Sequence, residues 1–207
     1  MHNPIQPFLN FQDALILDGG LATELEARGR DLSDALWSAR LLLDDPGLIR
    51  QVHLDYFYAG ADCGISASYQ ATISGLVARG LTEPEAEELL RLSVRLVVAA
   101  RDDFWAIPGN RRGRLHPITA ASVGPYGAAL ADGSEYAGEY GLSVTELAEW
   151  HGRRWRILAD SGADMLACET IPSFAEARAL QRLTAVTPDM PAWFSFSCRD
   201  GRHINDG

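Results

Sequence analysis

Apolar residues fall along this chain in two alternating rhythms: short, nearly continuous runs, and longer stretches spaced by three and four. The short runs are Ala14–Leu17, Asp62–Ser66, His116–Val123, Asp164–Cys168 and Ala192–Phe196. Several lack the alternation of a half-exposed strand, as expected for a parallel sheet covered on both faces. The longer stretches open on start signals: Thr82 stands three before Glu85, Ser143 before Glu146 and Ser173 before Glu176. Each pair predicts a capping box, with the hydroxyl accepting from the third helical amide and the glutamate reaching back. Behind these caps run apolar stripes: Ala86, Leu89, Leu90 and Val97; Val144, Leu147, Ala148, Trp155 and Leu158; Phe174, Ala177, Leu180 and Leu183. A fourth helix is predicted from about Pro46 to Ala59, with Ile49, Val52 and Tyr56 inward and Gly60 as its left-handed end.

Five strands and four main helices in βα order permit a doubly wound open sheet or part of a (β/α)8 barrel. The first βα turn, Asp18-Gly19-Gly20, is not GxGxxG, and no acidic residue stands where a ribose ligand belongs, which disfavours a dinucleotide fold. Five strands cannot close an eight-stranded ring. The chain reaches Asn205-Asp206-Gly207 just after the fifth strand, where a βα connection continues. The predicted fold is therefore α/β, of (β/α)8 TIM-barrel type, truncated after about five strands. Residues 1–13 read as an N-terminal extension and 14–207 as a partial barrel domain.

Composition narrows the function classes. A length of 207 residues suits one domain, and 47% apolar with 22% charged residues is ordinary for a soluble protein. The 18 basic and 28 acidic side chains give a net charge of −10, which disfavours non-specific nucleic-acid binding. No apolar run approaches the ~20 residues of a membrane helix, and residues 1–11 lack a basic segment followed by an apolar one. Cys63, Cys168 and Cys198 are odd in number and far apart, which fits a reducing cytosol. None lies in a CxxC or a Cys/His cluster, so spacing marks no metal site. Cys63 and Cys168 read as small buried hydrophobes, Trp150 and Trp155 as helix packing, and the acidic run Glu83 to Glu88 as a solvated helix start. His53 and His151 fall on helices and His116 begins a strand, none with a partner at ligand spacing.

In a parallel α/β sheet, catalytic groups gather at the C-terminal ends of strands. Asp18-Gly19-Gly20-Leu21-Ala22-Thr23-Glu24-Leu25 follows the first strand. Its glycines allow a sharp turn, and the amides after them can hold a carboxylate. Plain chain reversal accounts for the same residues. Ser66 to Ala71 follows the second strand, with the phenol of Tyr69. Ser122 to Gly127 follows the third, with Asp132, Glu135 and Tyr136 in the next loop. Cys168-Glu169-Thr170-Ile171-Pro172 follows the fourth. Glu169 is a candidate carboxylate for a substrate ammonium, or else a favourable charge at the next helix N-terminus. Acidic or hydroxyl groups at four successive strand ends tilt the reading toward a site.

Those segments resemble one family. Ile16 to Glu26, Leu36-Trp37-Ser38-Ala39, Asp55 to Asp62, Ser66 to Ala71, Val123 to Gly127, Asp132 to Tyr136 and Cys168 to Pro172 are similar, in order, to homocysteine S-methyltransferases. The likeness is greatest to the bacterial and plant branch that uses S-methylmethionine or S-adenosylmethionine. It implies a (β/α)8 barrel in which zinc, bound by three cysteines, holds homocysteine as a thiolate that accepts the methyl group and becomes methionine. Carried over by position, Asp18 and Glu169 engage the substrate amino end. Gly19 and Gly20 bring backbone close, and Trp37, Ser38 and Tyr69 line the pocket.

The family's cysteines lie in a Gly-x-Asn-Cys and a Gly-Gly-Cys-Cys motif, neither of which occurs here. Both are expected beyond Gly207, so the chain reads as an N-terminal portion with no metal ligands and little activity of its own. Two other readings stay open. One is a barrel hydrolase using Asp18 and Glu169, whose carboxylates would need to stand ~5–9.5 Å apart. The other is a non-catalytic product acting through an unclosed sheet edge.

Overall fold

The computed structural model of the chain describes residues 3–32, 37–130 and 132–207, and of residues 37–39 the backbone alone. Four helices precede the sheet: α1 (Gln6–Gln12), α2 (Leu21–Ala27), α3 (Trp37–Asp44) and α4 (Pro46–Ala59). Then follow β1 (Cys63–Ile65), α5 (Ile73–Val77), α6 (Glu83–Ala106), β2 (Ile118–Val123) and α7 (Tyr126–Leu130). The described chain continues with α8 (Val144–Ala159), β3 (Met165–Ile171), α9 (Phe174–Thr184) and β4 (Ala192–Phe196). The strands form one parallel sheet in the order β1-β2-β3-β4. This is the α/β arrangement with helical crossovers that the sequence predicts.

The first predicted strand differs. Residues 14–17 meet β1 through a single parallel bridge, Leu17 to Cys63, with Asp18 N donating to Cys63 O at 2.9 Å. Among the described residues, four strands plus this bridge stand where the sequence predicts five. Ile16 and Leu17 remain about half exposed, so little burial drives a longer ladder there.

Two of the three expected capping boxes close, at Thr82–Glu85 and Ser143–Glu146. The third is only half made. Ser173 accepts from Glu176 N, but the Glu176 carboxylate turns inward to His151 Nε2 at 2.8 Å and Tyr126 N at 2.6 Å. Helix α4 begins and ends as predicted, with Gly60 at φ 117°. Nor is the acidic start of α6 simply solvated, because Glu83 and Glu87 both pair with Arg153 of α8.

Side-chain alternation assigns the two faces of the sheet. Ala121, Val123, Leu166 and Cys168 pack outward against Leu90, Val94, Trp155, Leu158 and Leu180 of the helices. Gly64 shares this outward side, and a Cβ there would stand 2.6 Å from Val97. The opposite face carries Cys63, Ile118, Ala120, Met165 and Ala167, covered by Phe8 of α1. Continuing up that face by the period of two leads to Ser122 on β2 and Glu169 on β3. The inner face is thus apolar at its base and polar at its C-terminal rim.

Candidate functional site at the C-terminal rim of the sheet

A cleft of about 550 Å³ opens at this rim. Asp18, Gly19, Gly20, Tyr69 and Glu169 of the predicted set all line it, joined by Ser66, Gln70, Ser122, Glu135 and Tyr136. The side chains of Trp37 and Ser38 lie outside the described residues; their backbone opens α3. Asp18, Glu135 and Glu169 supply three carboxylates, and no described lining residue is basic.

Asp18 is fixed by the bridge to β1: Ile65 N donates to its Oδ2 at 2.8 Å. Burial pushes its carboxyl up to about 7, opposed by that amide and reinforced by the charge of Glu169. Burial also raises Glu169, against the Ser122 hydroxyl, which donates to Oε1 at 2.5 Å, and the charge of Arg154. Ser122 is itself tied down. Its amide donates to Ser66 Oγ at 3.0 Å, and its carbonyl accepts from Ser68 Oγ at 2.7 Å. The serines after β1, which sequence reading treats only as a polar cluster, therefore aim the hydroxyl that holds Glu169.

Thr170, next to Glu169, has φ 59°, in the left-handed region that a β-branched residue rarely enters. The β3–β4 register shifts between Cys168 and Ile171, and Ser195 Oγ accepts from Thr170 N at 3.2 Å. Such strain costs on the order of 1–3 kcal/mol and clusters at functional sites. Burial raises the Tyr69 phenol, with the neighbouring Thr170 side chain acting against that rise. Gly124 makes room for Tyr69, since a Cβ there would lie 2.4 Å from Tyr69 O.

The two glycines after Asp18 have a reason that the sequence did not show. A Cβ on Gly19 would stand 2.7 Å from the Tyr56 ring, whose hydroxyl donates to Gly20 O at 3.1 Å. Neither glycine has positive φ, so space rather than left-handed geometry selects Gly19. Tyr56 and the buried His53, both on α4, are not marked as site neighbours by the sequence, whose periodicity gives Tyr56 only as inward and His53 only as helical.

The cysteines do not form a metal centre. Cys63 and Cys168 are fully buried with thiols pushed up by burial, while Cys198 is exposed. Among the described residues no group of three or more His, Cys, Asp or Glu could hold a metal ion. The described residues therefore do not fit a zinc site. Among those residues too, no helix is long and apolar enough to cross a membrane.

Ser122→Ala removes the donor to Glu169 and leaves the backbone ties to Ser66 and Ser68 in place. A hydrogen bond to a charged group is worth about 1.5–3 kcal/mol. A cation bound at Glu169 should weaken by roughly tenfold or more, read by calorimetric titration at pH 7.5. Unchanged affinity with an intact fold would show that Ser122 does not support the carboxylate.

Known proteins match this geometry along nearly the whole chain. The sequence model of the homocysteine S-methyltransferase family matches residues 15–207. "Homocysteine S-methyltransferase YbgG" of Bacillus subtilis (strain 168) is 56% identical over 205 residues, 99% of this chain and 65% of that protein. "Homocysteine S-methyltransferase" of Escherichia coli (strain K12) is 52% identical over 206 residues, 100% of this chain and 66% of its own length. The chain thus spans somewhat less than two thirds of the length of these curated relatives. The crystal structure of the E. coli homocysteine methyltransferase MmuM in its metallated form superposes with a TM-score of 0.93 at 52% identity, covering 99% of this chain and 70% of that one. By sequence and by fold, the chain belongs to the homocysteine S-methyltransferase family.

Proposed function

We propose that these residues form the homocysteine-binding part of a homocysteine S-methyltransferase, and that the four strands belong to a (β/α)8 barrel. The observation that carries the reading is the pair of buried carboxylates, Asp18 and Glu169, facing one cleft lined by no described basic side chain. Two carboxyl groups desolvated in this way are poised for an ammonium, whose charge offsets their mutual repulsion. Asp18 and Glu169 bind the substrate amine, with Gly19, Gly20 and Tyr69 as walls. Family membership supports this over a carboxylate hydrolase.

In the reaction, homocysteine loses its thiol proton to solvent, and the resulting thiolate attacks the methyl carbon of S-methylmethionine or S-adenosylmethionine in line. The new C–S bond forms as the sulfonium C–S bond breaks, and the donor leaves as a neutral thioether with the electron pair. This chain's residues bind and orient the amino-acid end of the acceptor. No described residue of the cleft carries a positive charge that would lower the thiol pKa from about 8.5, and on this reading most of the thiol stays protonated at neutral pH. We place the protein in the cytosol, with no nucleic-acid or membrane partner.

Homocysteine titrated into the 207-residue chain at pH 7.5 under reducing conditions should bind. Glu169→Gln should weaken that binding by roughly tenfold or more. Methionine formation from either donor should stay near background, with no stoichiometric zinc in the purified chain. Absence of homocysteine binding would sink the functional reading; tight zinc with robust turnover would show that the ligands lie among these residues.

A further inference from the structure

We propose that His53 is a positioning residue for Asp18, donating from Nδ1 to the carboxylate whenever Asp18 is ionised. His53 lies on α4 with 1% of its surface exposed, and neither ring nitrogen has a hydrogen-bond partner among the described residues. Buried polar atoms are nearly always paired, so two orphans on one ring call for a cause. The acid nearest the ring is Asp18, whose Oδ2 stands 3.9 Å from Nδ1. That is too long for a hydrogen bond and short enough for a small ring rotation to close.

Oδ2 already accepts from Ile65 N, and a carboxylate has about four acceptor sites, which leaves room for both the ring and an ammonium. Burial holds the imidazole down at about 4, so at neutral pH the ring donates as a neutral group and carries no competing charge. The other groups facing Asp18 cannot take this part. Glu169 on β3 repels it. Tyr56 on α4 already donates to Gly20 O, and Cys63 on β1 directs its Sγ to Gly64 O. Among these groups His53 is the one with an N–H and no acceptor.

The role matters through the assignment of Asp18 as an ammonium ligand, on which it rests: a donor on the far side favours the ionised carboxylate that the ammonium requires. The test follows the Asp18 side-chain carboxyl by carbon-13 NMR from pH 5 to 9 in the wild-type chain, His53→Phe and His53→Asn. Phenylalanine fills the site without a donor, whereas asparagine restores an N–H near the position of Nδ1. The Asp18 midpoint should rise by about one unit in H53F and return toward wild type in H53N. Homocysteine affinity at pH 7 should fall about fivefold in H53F, the drop in the ionised fraction when a midpoint near 7 moves up by one unit. An unchanged Asp18 midpoint in folded H53F overturns the proposal.

If H53F does not fold, the nitrogen-15 shifts of the wild-type ring decide. An Nδ1–H tautomer responding to Asp18 titration supports the role, and an Nε2–H tautomer overturns it. A shifted Asp18 midpoint in a chain that binds no homocysteine would keep the His53 assignment and reject the proposed function.

Discussion

Asp18→Asn should lose homocysteine affinity by at least ~100-fold at pH 8 while melting higher than the wild type in the same buffer. The two effects have one origin. Asn keeps an oxygen to accept from Ile65 N but cannot bear the charge that an ammonium needs. Truncating one partner of a buried, hydrogen-bonded charge pair costs about 2–5 kcal/mol of binding. The gain in stability follows from linkage. The folded-state carboxyl titrates at about 7, well above the ~3.9 of an unfolded aspartate. The stability this group contributes is full below ~4 and is lost as pH rises through about 7. At pH 8 the wild type therefore holds an ionised, desolvated carboxylate that the unfolded chain would hydrate. The difference of about three units sets an upper limit near 4 kcal/mol for what Asn recovers. Differential scanning calorimetry should show the D18N advantage growing from pH 5 to pH 8. A constant offset across that range, or retained homocysteine binding, would contradict the assignment.

How far this site could be read from sequence depended on the range of the interactions involved. Thr82–Glu85 and Ser143–Glu146 close within one turn, so their spacing was sufficient to predict them. Ser173–Glu176 has the same spacing, yet Glu176 finds partners 25 and 50 residues away, at His151 and Tyr126, which no local pattern encodes. Asp18, Tyr69 and Glu169 were legible because a parallel sheet brings its C-terminal strand ends together whatever their separation along the chain. Ser122 was visible as a strand-end hydroxyl, but its bond to Glu169 depends on the β2–β3 register. His53 and Tyr56 reach the site from the inward face of α4, where periodicity cannot separate a packing residue from a second layer of the site. The weak first strand was over-read because Ala14–Leu17 is apolar, whereas the structure leaves Ile16 and Leu17 half exposed. Hydropathy shows that a segment can be buried and leaves open how many neighbours it pairs with.

Replacement of Arg154 should be the most damaging single change outside the cleft. Its guanidinium is fully buried on α8. Nη1 donates to Gly124 O at 3.2 Å, and Nη2 donates to Ser68 O and Tyr69 O, each at 2.7 Å. One side chain thus joins the loop after β1, which carries Tyr69, to Gly124 just after β2, the strand that presents Ser122 to the cleft. Burial lowers the guanidinium to about 10, still charged at neutral pH, and Glu176 and Glu169 lie close enough to stabilise that charge. In Arg154→Ala three carbonyls lose their donor and the fully buried Glu176 loses a compensating cation. Breaking such an arrangement from one side costs about 3–5 kcal/mol, a large share of the ~5–15 kcal/mol that holds a domain together. For a chain of this size that corresponds to a fall in melting temperature of roughly 10–15 °C. Arg154→Lys should recover only part of the loss, because an ammonium lacks the planar fork that reaches both loops at once. Its neighbour provides the control: Arg153 is exposed and pairs with Glu83 and Glu87 on the surface, so Arg153→Ala should leave the melting temperature nearly unchanged. If the R154A and R153A chains melted alike, the buried guanidinium would not be what holds the two loops of the site together.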